Sequence, residues 1–352
     1  MLDTGLRRAV VAVAALLALA GCGSSGTTGA PTAPTTAGGS APASAGGAVK
    51  EGLKIAVLPK AINIPYFDAA FEGAKKACQE IKAAKCDQVG PTQATGAAQV
   101  QFINTIVQQK YDALVISAAD ANSVVPALKR ASAAGIAVVT YDADVADASA
   151  RSAMVKPTTP DQIGKAQIDW IAKAVGDEGG EVAILSAAAT AENQNAWIGF
   201  MKEHLAQYPK LKLVDTVYGD DDAAKSAEKA SALLQSHPNL KGIISPTTVG
   251  VAAAAKYISG SQYKGKVQVT GLGLPSEMKA YVKDGTVKSF GLWDPAQLGY
   301  LGVYAAAVKA GGGDLTKGFQ AGGKTYTPES DGSVIVGPPQ EFTAENVDDF
   351  AF

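Results

Sequence analysis

Short runs of apolar, largely β-branched residues recur along most of this chain, each followed by a longer stretch in which apolar positions return every three or four residues. A brief apolar run without polar alternation predicts a strand buried on both faces, and the longer pattern predicts an amphipathic helix. Strands are expected over 54–58, 87–89, 113–117 and 136–141, with helices over about 66–82, 95–108 and 122–134 between them. After a segment at 152–155 the rhythm starts again. Helices over about 159–175, 192–206, 223–235, 249–259 and 275–283 alternate with strands over 182–185, 213–218, 242–245 and 267–270. Two halves of similar build predict an α/β fold of two lobes with parallel central sheets, not one long sheet.

The first fifty residues break this pattern. Arg7 and Arg8 precede an apolar run over 9–20, which ends in Leu19-Ala20-Gly21-Cys22. A basic start, a short apolar stretch and small residues at the cut describe a secretory signal over 1–21, and the run is too short to span a bilayer comfortably. Leu-Ala-Gly-Cys also resembles the lipobox of bacterial lipoproteins, which implies lipid attachment at Cys22 and a membrane tether through it. From Gly23 to about Gly47 the chain is almost entirely Gly, Ser, Thr, Ala and Pro, without charge or aromatic residues. Such a segment buries too little apolar surface to offset its ordering entropy, so residues 22–50 are expected to form a flexible linker.

Composition narrows the function. Apolar residues make up 47% of the sequence, enough for substantial cores, and the net charge of -2 comes from interspersed acids and bases. No nucleic-acid surface is expected from that balance. His204 and His237 are the two histidines, both in surface-like contexts, so neither a histidine metal site nor a catalytic triad is expected. Gly271-Leu272-Gly273 is too short for a dinucleotide loop and no P-loop occurs, so no cofactor is expected. Cys78 and Cys86 lie in the body of an exported chain, where a disulfide between them is permitted. Their spacing alone leaves two free thiols open.

In open parallel sheets, ligands sit outside the carboxyl ends of the strands. The residues just after the predicted strands include Lys60, Ile64-Pro65-Tyr66-Phe67, Tyr141-Asp142-Ala143-Asp144, Asn193-Gln194-Asn195, Ser245-Pro246-Thr247-Thr248 and Leu292-Trp293-Asp294. Carboxylates, amides, hydroxyls, one lysine and several aromatics would meet in a cleft. That mixture suits a small sugar or polyol, whose hydroxyls pair with charged and amide groups while its apolar face stacks on a ring. Nothing among these residues forms a nucleophile–base–orienter set, so an enzyme is not expected.

Lys60 after the first strand, Tyr66-Phe67, Tyr141-Asp142-Ala143-Asp144, Asn193-Gln194-Asn195-Ala196-Trp197 and Phe290-Gly291-Leu292-Trp293-Asp294 resemble the periplasmic sugar-binding family. Within it, the chain is most similar to the branch holding the autoinducer-2-binding and rhamnose-binding proteins of ABC importers. The resemblance covers essentially 53–352. It implies two Rossmann-like lobes joined by three hinge crossovers, near 155–158, 293–295 and 336–339. The expected lobes are 51–155 with 295–336, and 156–294 with 337–352. It further implies a monomer that captures a small sugar or sugar alcohol, closes around it, and delivers it to the permease of an ABC transporter, from a lipid-anchored position on the outer face of the membrane or in the periplasm. An autoinducer-2-type receptor or ligand-sensing lipoprotein is the alternative. The ligand contacts implied are Lys60, Tyr66, Phe67, Asp142, Asn193, Gln194, Pro246, Thr248, Trp293 and Asp294. Two positions depart from the autoinducer-2 pattern: Asn193 stands where those binders use Asp, and Thr248 replaces an alanine. One negative acceptor is lost and one hydroxyl gained, which departs from autoinducer-2 recognition without pointing to a specific replacement. A neutral monosaccharide or sugar alcohol is the ligand class expected.

Overall fold

Alternate residues of the first strand point to opposite faces of a sheet, and each set finds its own cover. Ile55 and Val57 join one core with Tyr66, Ala70 and Ala74, whereas Ala56 and Leu58 join a second with Ile103, Ile106 and Leu128. The computed structural model describes Gly47 and residues 49–352. The leader over 1–21, Cys22 and the linker as far as residue 46 lie outside the described residues.

The first lobe is built from β1 (Lys54–Leu58), α1 (Pro65–Glu80), β2 (Lys85–Gln88), α2 (Gly96–Gln108), β3 (Ala113–Ile116), α3 (Val125–Ala133), β4 (Ala137–Tyr141) and β5 (Ala153–Lys156). The chain then forms α4 (Pro160–Val175), β6 (Gly180–Ser186), α5 (Glu192–His204), β7 (Leu211–Tyr218), α6 (Ala223–Ser236), β8 (Leu240–Ser245), α7 (Thr248–Ser259), β9 (Gln268–Gly271), α8 (Pro275–Lys283) and β10 (Phe290–Leu292). It ends with α9 (Pro295–Ala310), β11 (Phe319–Ala321), β12 (Lys324–Tyr326), β13 (Ser333–Ile335) and β14 (Gln340–Phe342).

One sheet has six strands in the order β13-β5-β4-β3-β1-β2, all paired in parallel. The other has four parallel strands in the order β7-β6-β8-β9. Beside the second sheet, β10 pairs antiparallel with β14, Leu292 opposite Gln340. The chain passes between lobes at 157–159, 293–294 and 336–339, because α9 packs on the first sheet while α4 packs on the second. Two Rossmann-like lobes joined by three crossovers therefore make up the body.

Local signals explain several boundaries. Pro65 opens α1, where the proline ring is preset for a helix and its missing N–H costs nothing. Thr95 Oγ1 caps α2 by accepting from Ala98 N at 3.3 Å. Cys78 of α1 and Cys86 of β2 form a disulfide, their Cα atoms 6.3 Å apart, which pins the first helix to the edge strand that follows it. The elements after residue 294 are not predicted by periodicity. In α9, Leu298, Leu301, Val303, Ala306 and Val308 are all buried, so the helix is apolar around its circumference and lacks the one-sided stripe that marks a helix in sequence.

Candidate functional site

The carboxyl ends of the two sheets face a shared cavity. Lys60, Tyr66, Phe67, Asp142, Asn193, Gln194, Pro246, Thr248 and Trp293 line it, joined by Ile64, Trp197, Asp221, Thr247, Leu272 and Leu292.

The wall from the first lobe is organised around Asp142. The residue follows β4 with φ at 60°, a left-handed conformation that aspartate tolerates better than most residues. Its N–H is held by Val155 O at 3.0 Å. The carboxylate accepts hydrogen bonds from Tyr66 OH on Oδ1 at 3.0 Å and from Ser117 Oγ on Oδ2 at 2.7 Å. Lys60 Nζ stands 3.7 Å from Oδ2, and both side chains are almost fully buried. Tyr66 in turn accepts from Trp293 Nε1 at 2.9 Å. Burial, reinforced by the neighbouring Asp142 charge, pushes the Tyr66 phenol well above its ordinary pKa, so it serves as a neutral donor.

The aromatic groups form a connected edge-to-face chain. Tyr66 meets Phe67 with centroids 5.1 Å apart and Trp293 at 6.4 Å, and Trp293 meets Trp197 at 5.8 Å. Phe67 also abuts Tyr141 behind the wall, at 6.3 Å. Such contacts fix ring orientation and give a ligand rigid apolar surface.

The second lobe supplies amides and hydroxyls. Asn193 Oδ1 accepts from Lys60 Nζ at 3.2 Å, a direct hydrogen bond across the cleft. Gln194 Oε1 accepts from Ser186 Oγ at 2.7 Å and Ala187 N at 2.9 Å. With its oxygen so engaged, the Gln194 amide nitrogen is the group left to donate. Thr247 Oγ1 donates to Asp221, and Pro246 and Thr248 flank it at the entry to α7.

Two carboxylates singled out in the sequence go elsewhere. Asp294 does not line the cavity; its side chain caps α9, accepting from Ala296 N at 2.9 Å. Asp144 is clasped by Arg151, with Nε at 3.0 Å from Oδ1 and Nη2 at 2.7 Å from Oδ2. Asp221 was not anticipated. It sits in the turn after β7, and the same strand-end rule applied to 219–222 would have found it. His204 bonds Asp169 at 2.7 Å and His237 bonds Asp215 at 3.3 Å, both away from the cavity. Among the described residues no cluster of three metal-ligating side chains occurs, and no helix is long and apolar enough to cross a membrane.

A family model described as a periplasmic binding protein domain matches residues 55–314. The chain belongs to the periplasmic binding protein family. Members of this family bind ligands and do not turn them over. A solved structure of a sugar ABC transporter protein from Actinomyces odontolyticus is 46% identical, covering 85% of this chain and 98% of that one, with a TM-score of 0.68. An ABC transporter solute-binding protein from Clostridium phytofermentas, solved with bound L-rhamnose, is 35% identical over 86% of this chain and 98% of that one, with a TM-score of 0.81. LsrB from Clostridium saccharobutylicum, solved in complex with AI-2, is 29% identical over 85% of this chain and all of that one (100%), with a TM-score of 0.79. The match to both the rhamnose and the AI-2 protein agrees with the branch that the strand-end motifs resemble.

Proposed function

We propose that this protein captures a small neutral sugar or sugar alcohol between its lobes and hands it to the permease of an ABC importer. The observation that carries this reading is the buried set Lys60, Asp142 and Asn193, in which one lobe's ion pair is hydrogen-bonded to the other lobe beside a wall of aromatic rings. Lys60 and the Asn193 and Gln194 amides donate to ligand hydroxyls, Asp142 accepts from them, and Trp293, Trp197, Tyr66 and Phe67 cover the apolar face. Ligand groups that bridge Lys60 and Asn193 favour the closed arrangement of the lobes over an open one. The relatives that bind sugars support this class, and Asn193 and Thr248 depart from the autoinducer-2 pattern. Cys22 carries a lipid, the linker over 22–50 acts as a leash, and the exported body works as a monomer at the outer face of the membrane or in the periplasm.

A thermal-shift screen of the body against monosaccharides, deoxysugars, sugar alcohols and autoinducer-2 tests the reading. Ligand at 100 times its dissociation constant stabilises the fold by about 2.7 kcal/mol, which a melt resolves. A stereospecific sugar hit is expected. A shift with autoinducer-2 alone would replace the sugar reading with the signal-receptor one, and no shift from any compound would reject both.

A further inference from the structure

Three aspartates stand in a row after β7, and two of them have local work. Asp222 caps α6, its carboxylate accepting from Lys225 N at 2.8 Å, and Asp220 pairs with the Lys225 ammonium. Asp221 does neither. It is held in the left-handed region with φ at 52°, as is Asp220 at 54°, and its side chain reaches the cavity wall. Thr247 Oγ1 is its one side-chain hydrogen-bond partner among the described residues. An ionised carboxylate offers about four acceptor positions, so most of its capacity is unused.

The surroundings give this unused capacity a direction. Asp142 comes from the first lobe and Asp221 from the second, while Lys60 is the cation among the residues that line the cavity. Burial pushes the Asp221 carboxyl above its ordinary range, the Lys60 ammonium pulls it down, and the Asp142 charge adds to the upward push. A half-buried carboxylate that lines a cleft with one side-chain hydrogen-bond partner of its own is a candidate for contact with a ligand. The position also answers the loss at Asn193, because the second lobe regains a negative acceptor at a different point of the same wall.

We propose that Asp221 is a specificity-determining ligand contact, which accepts a hydrogen bond from one ring hydroxyl of the bound sugar and so selects for that hydroxyl. The inference rests on the sugar reading above. It makes the cavity a two-sided acceptor, with Asp142 and Asp221 gripping different hydroxyls of one ligand and Lys60 between them. A sugar lacking the hydroxyl at Asp221 would leave this half-buried carboxylate without that partner in the closed cleft, and such losses discriminate more strongly than a lost apolar contact.

The test takes the tightest-binding sugar from the screen and its monodeoxy analogues, and titrates each by calorimetry into the unsubstituted body, Asp221→Ala and Asp221→Asn. Asp221→Ala should weaken the sugar at least tenfold. One deoxy analogue should bind the unsubstituted protein at least tenfold worse than the parent sugar, and that penalty should vanish in Asp221→Ala, a non-additivity that a purely structural role does not produce. Asp221→Asn keeps the side chain's shape and an oxygen for Thr247, so it reports on the contact even if the alanine variant folds poorly; the same analogue should lose at least half of its penalty there. Sugar affinity within twofold of normal in both variants, or deoxy penalties that stay unchanged, would overturn the role of Asp221 and leave the sugar reading standing. Failure of the unsubstituted protein to bind any sugar would overturn both.

Discussion

The two walls of the cavity each present a carboxylate, and they hold it very differently. Asp142 on the first lobe is met by Tyr66 OH, Ser117 Oγ and, at 3.7 Å, the Lys60 ammonium, with Trp293 steadying Tyr66 from behind. Asp221 on the second lobe has Thr247 as its one side-chain hydrogen-bond partner among the described residues. The first wall is pre-organised: its acceptor is already oriented and its charge already offset before ligand arrives. The second wall is under-satisfied, so a ligand hydroxyl has more to add there. Pre-organisation reduces the ordering cost of binding and raises affinity for any ligand of the right class. Under-satisfaction makes the outcome depend on which hydroxyls the ligand carries. Affinity is accordingly assigned to the first wall and choice among sugars to the second.

The largest expected effect comes from breaking the stronger wall. Asp142→Ala removes the acceptor shared by Tyr66, Ser117 and Lys60, and leaves a buried ammonium without its counter-ion. Breaking one partner of a buried pair costs about 3–5 kcal/mol, so the ligand-free melting temperature should fall along with binding. Sugar affinity should drop by about 100-fold or more, equivalent to about 2.7 kcal/mol. Asn193→Ala, across the cleft, should lose about tenfold in affinity, about 1.4 kcal/mol, with little change in the ligand-free melt. Equal losses of stability in the two variants, read by calorimetric melting, would remove the distinction between a wired wall and a loosely held one.

A smaller effect tests how each wall is supported from behind. In the first lobe α1 and α9 touch backbone to backbone: a Cβ on Gly73 would lie 1.9 Å from Ala296 O, and one on Gly299 would lie 1.9 Å from Ala70 O. In the second lobe a Cβ on Gly291 would meet the ring of Trp170, 2.1 Å from its nearest atom. Backbone cannot swing aside as a side chain can. Gly73→Ala should therefore cost about 1–3 kcal/mol, the usual range for overpacking, and Gly291→Ala less, as measured by denaturant midpoints. Because α1 carries Tyr66 and Phe67 in its first turn, Gly73→Ala should also weaken sugar binding. If Gly291→Ala proves the more damaging, the second lobe is the stiffer of the two.

Much of this contrast is legible in the sequence, and the parts that are not have physical reasons. Lys60, Asp142, Asn193, Gln194, Pro246 and Thr248 follow apolar runs too short and too β-branched to be anything but buried parallel strands, so their place at a sheet's carboxyl end follows from topology. Asp221 follows such a run as well, but Gly219-Asp220-Asp221-Asp222 has the composition of an ordinary polar turn, and nothing in it separates the aspartate that caps a helix from the one that reaches the cavity. Asp294 shows the same ambiguity in reverse. An aspartate after a strand and before Pro295 suits a ligand contact and a helix cap equally, and only the bond to Ala296 N decides between them. The helix that Asp294 caps was invisible for a different reason. Its residues are buried on all sides between α1, the first sheet and β11, so no polar face marks its period.

The finest test of the contrast is the stability of the ligand-free protein against pH. The Asp221 carboxyl titrates above the ordinary value of about 3.9 that it takes in the unfolded chain. While pH exceeds both values, the ionised group destabilises the fold, and this cost is relieved as pH falls through the folded pKa and is gone below the unfolded one. Asp221→Asn should therefore raise the ligand-free melting temperature slightly at pH 7–8, with a gain that shrinks toward zero as the pH is lowered below about 3.9. At pH 7–8 Asp142→Asn should shift it the other way, because that substitution removes an ion pair with Lys60. A gain for Asp221→Asn that stays constant down to acid pH would trace to shape instead of charge, and the second wall would then not be held at the expense of stability. A gain that fades with acid would mean that the protein keeps a destabilising carboxylate in its cleft when asparagine would fold better, and such a group persists where a ligand needs it.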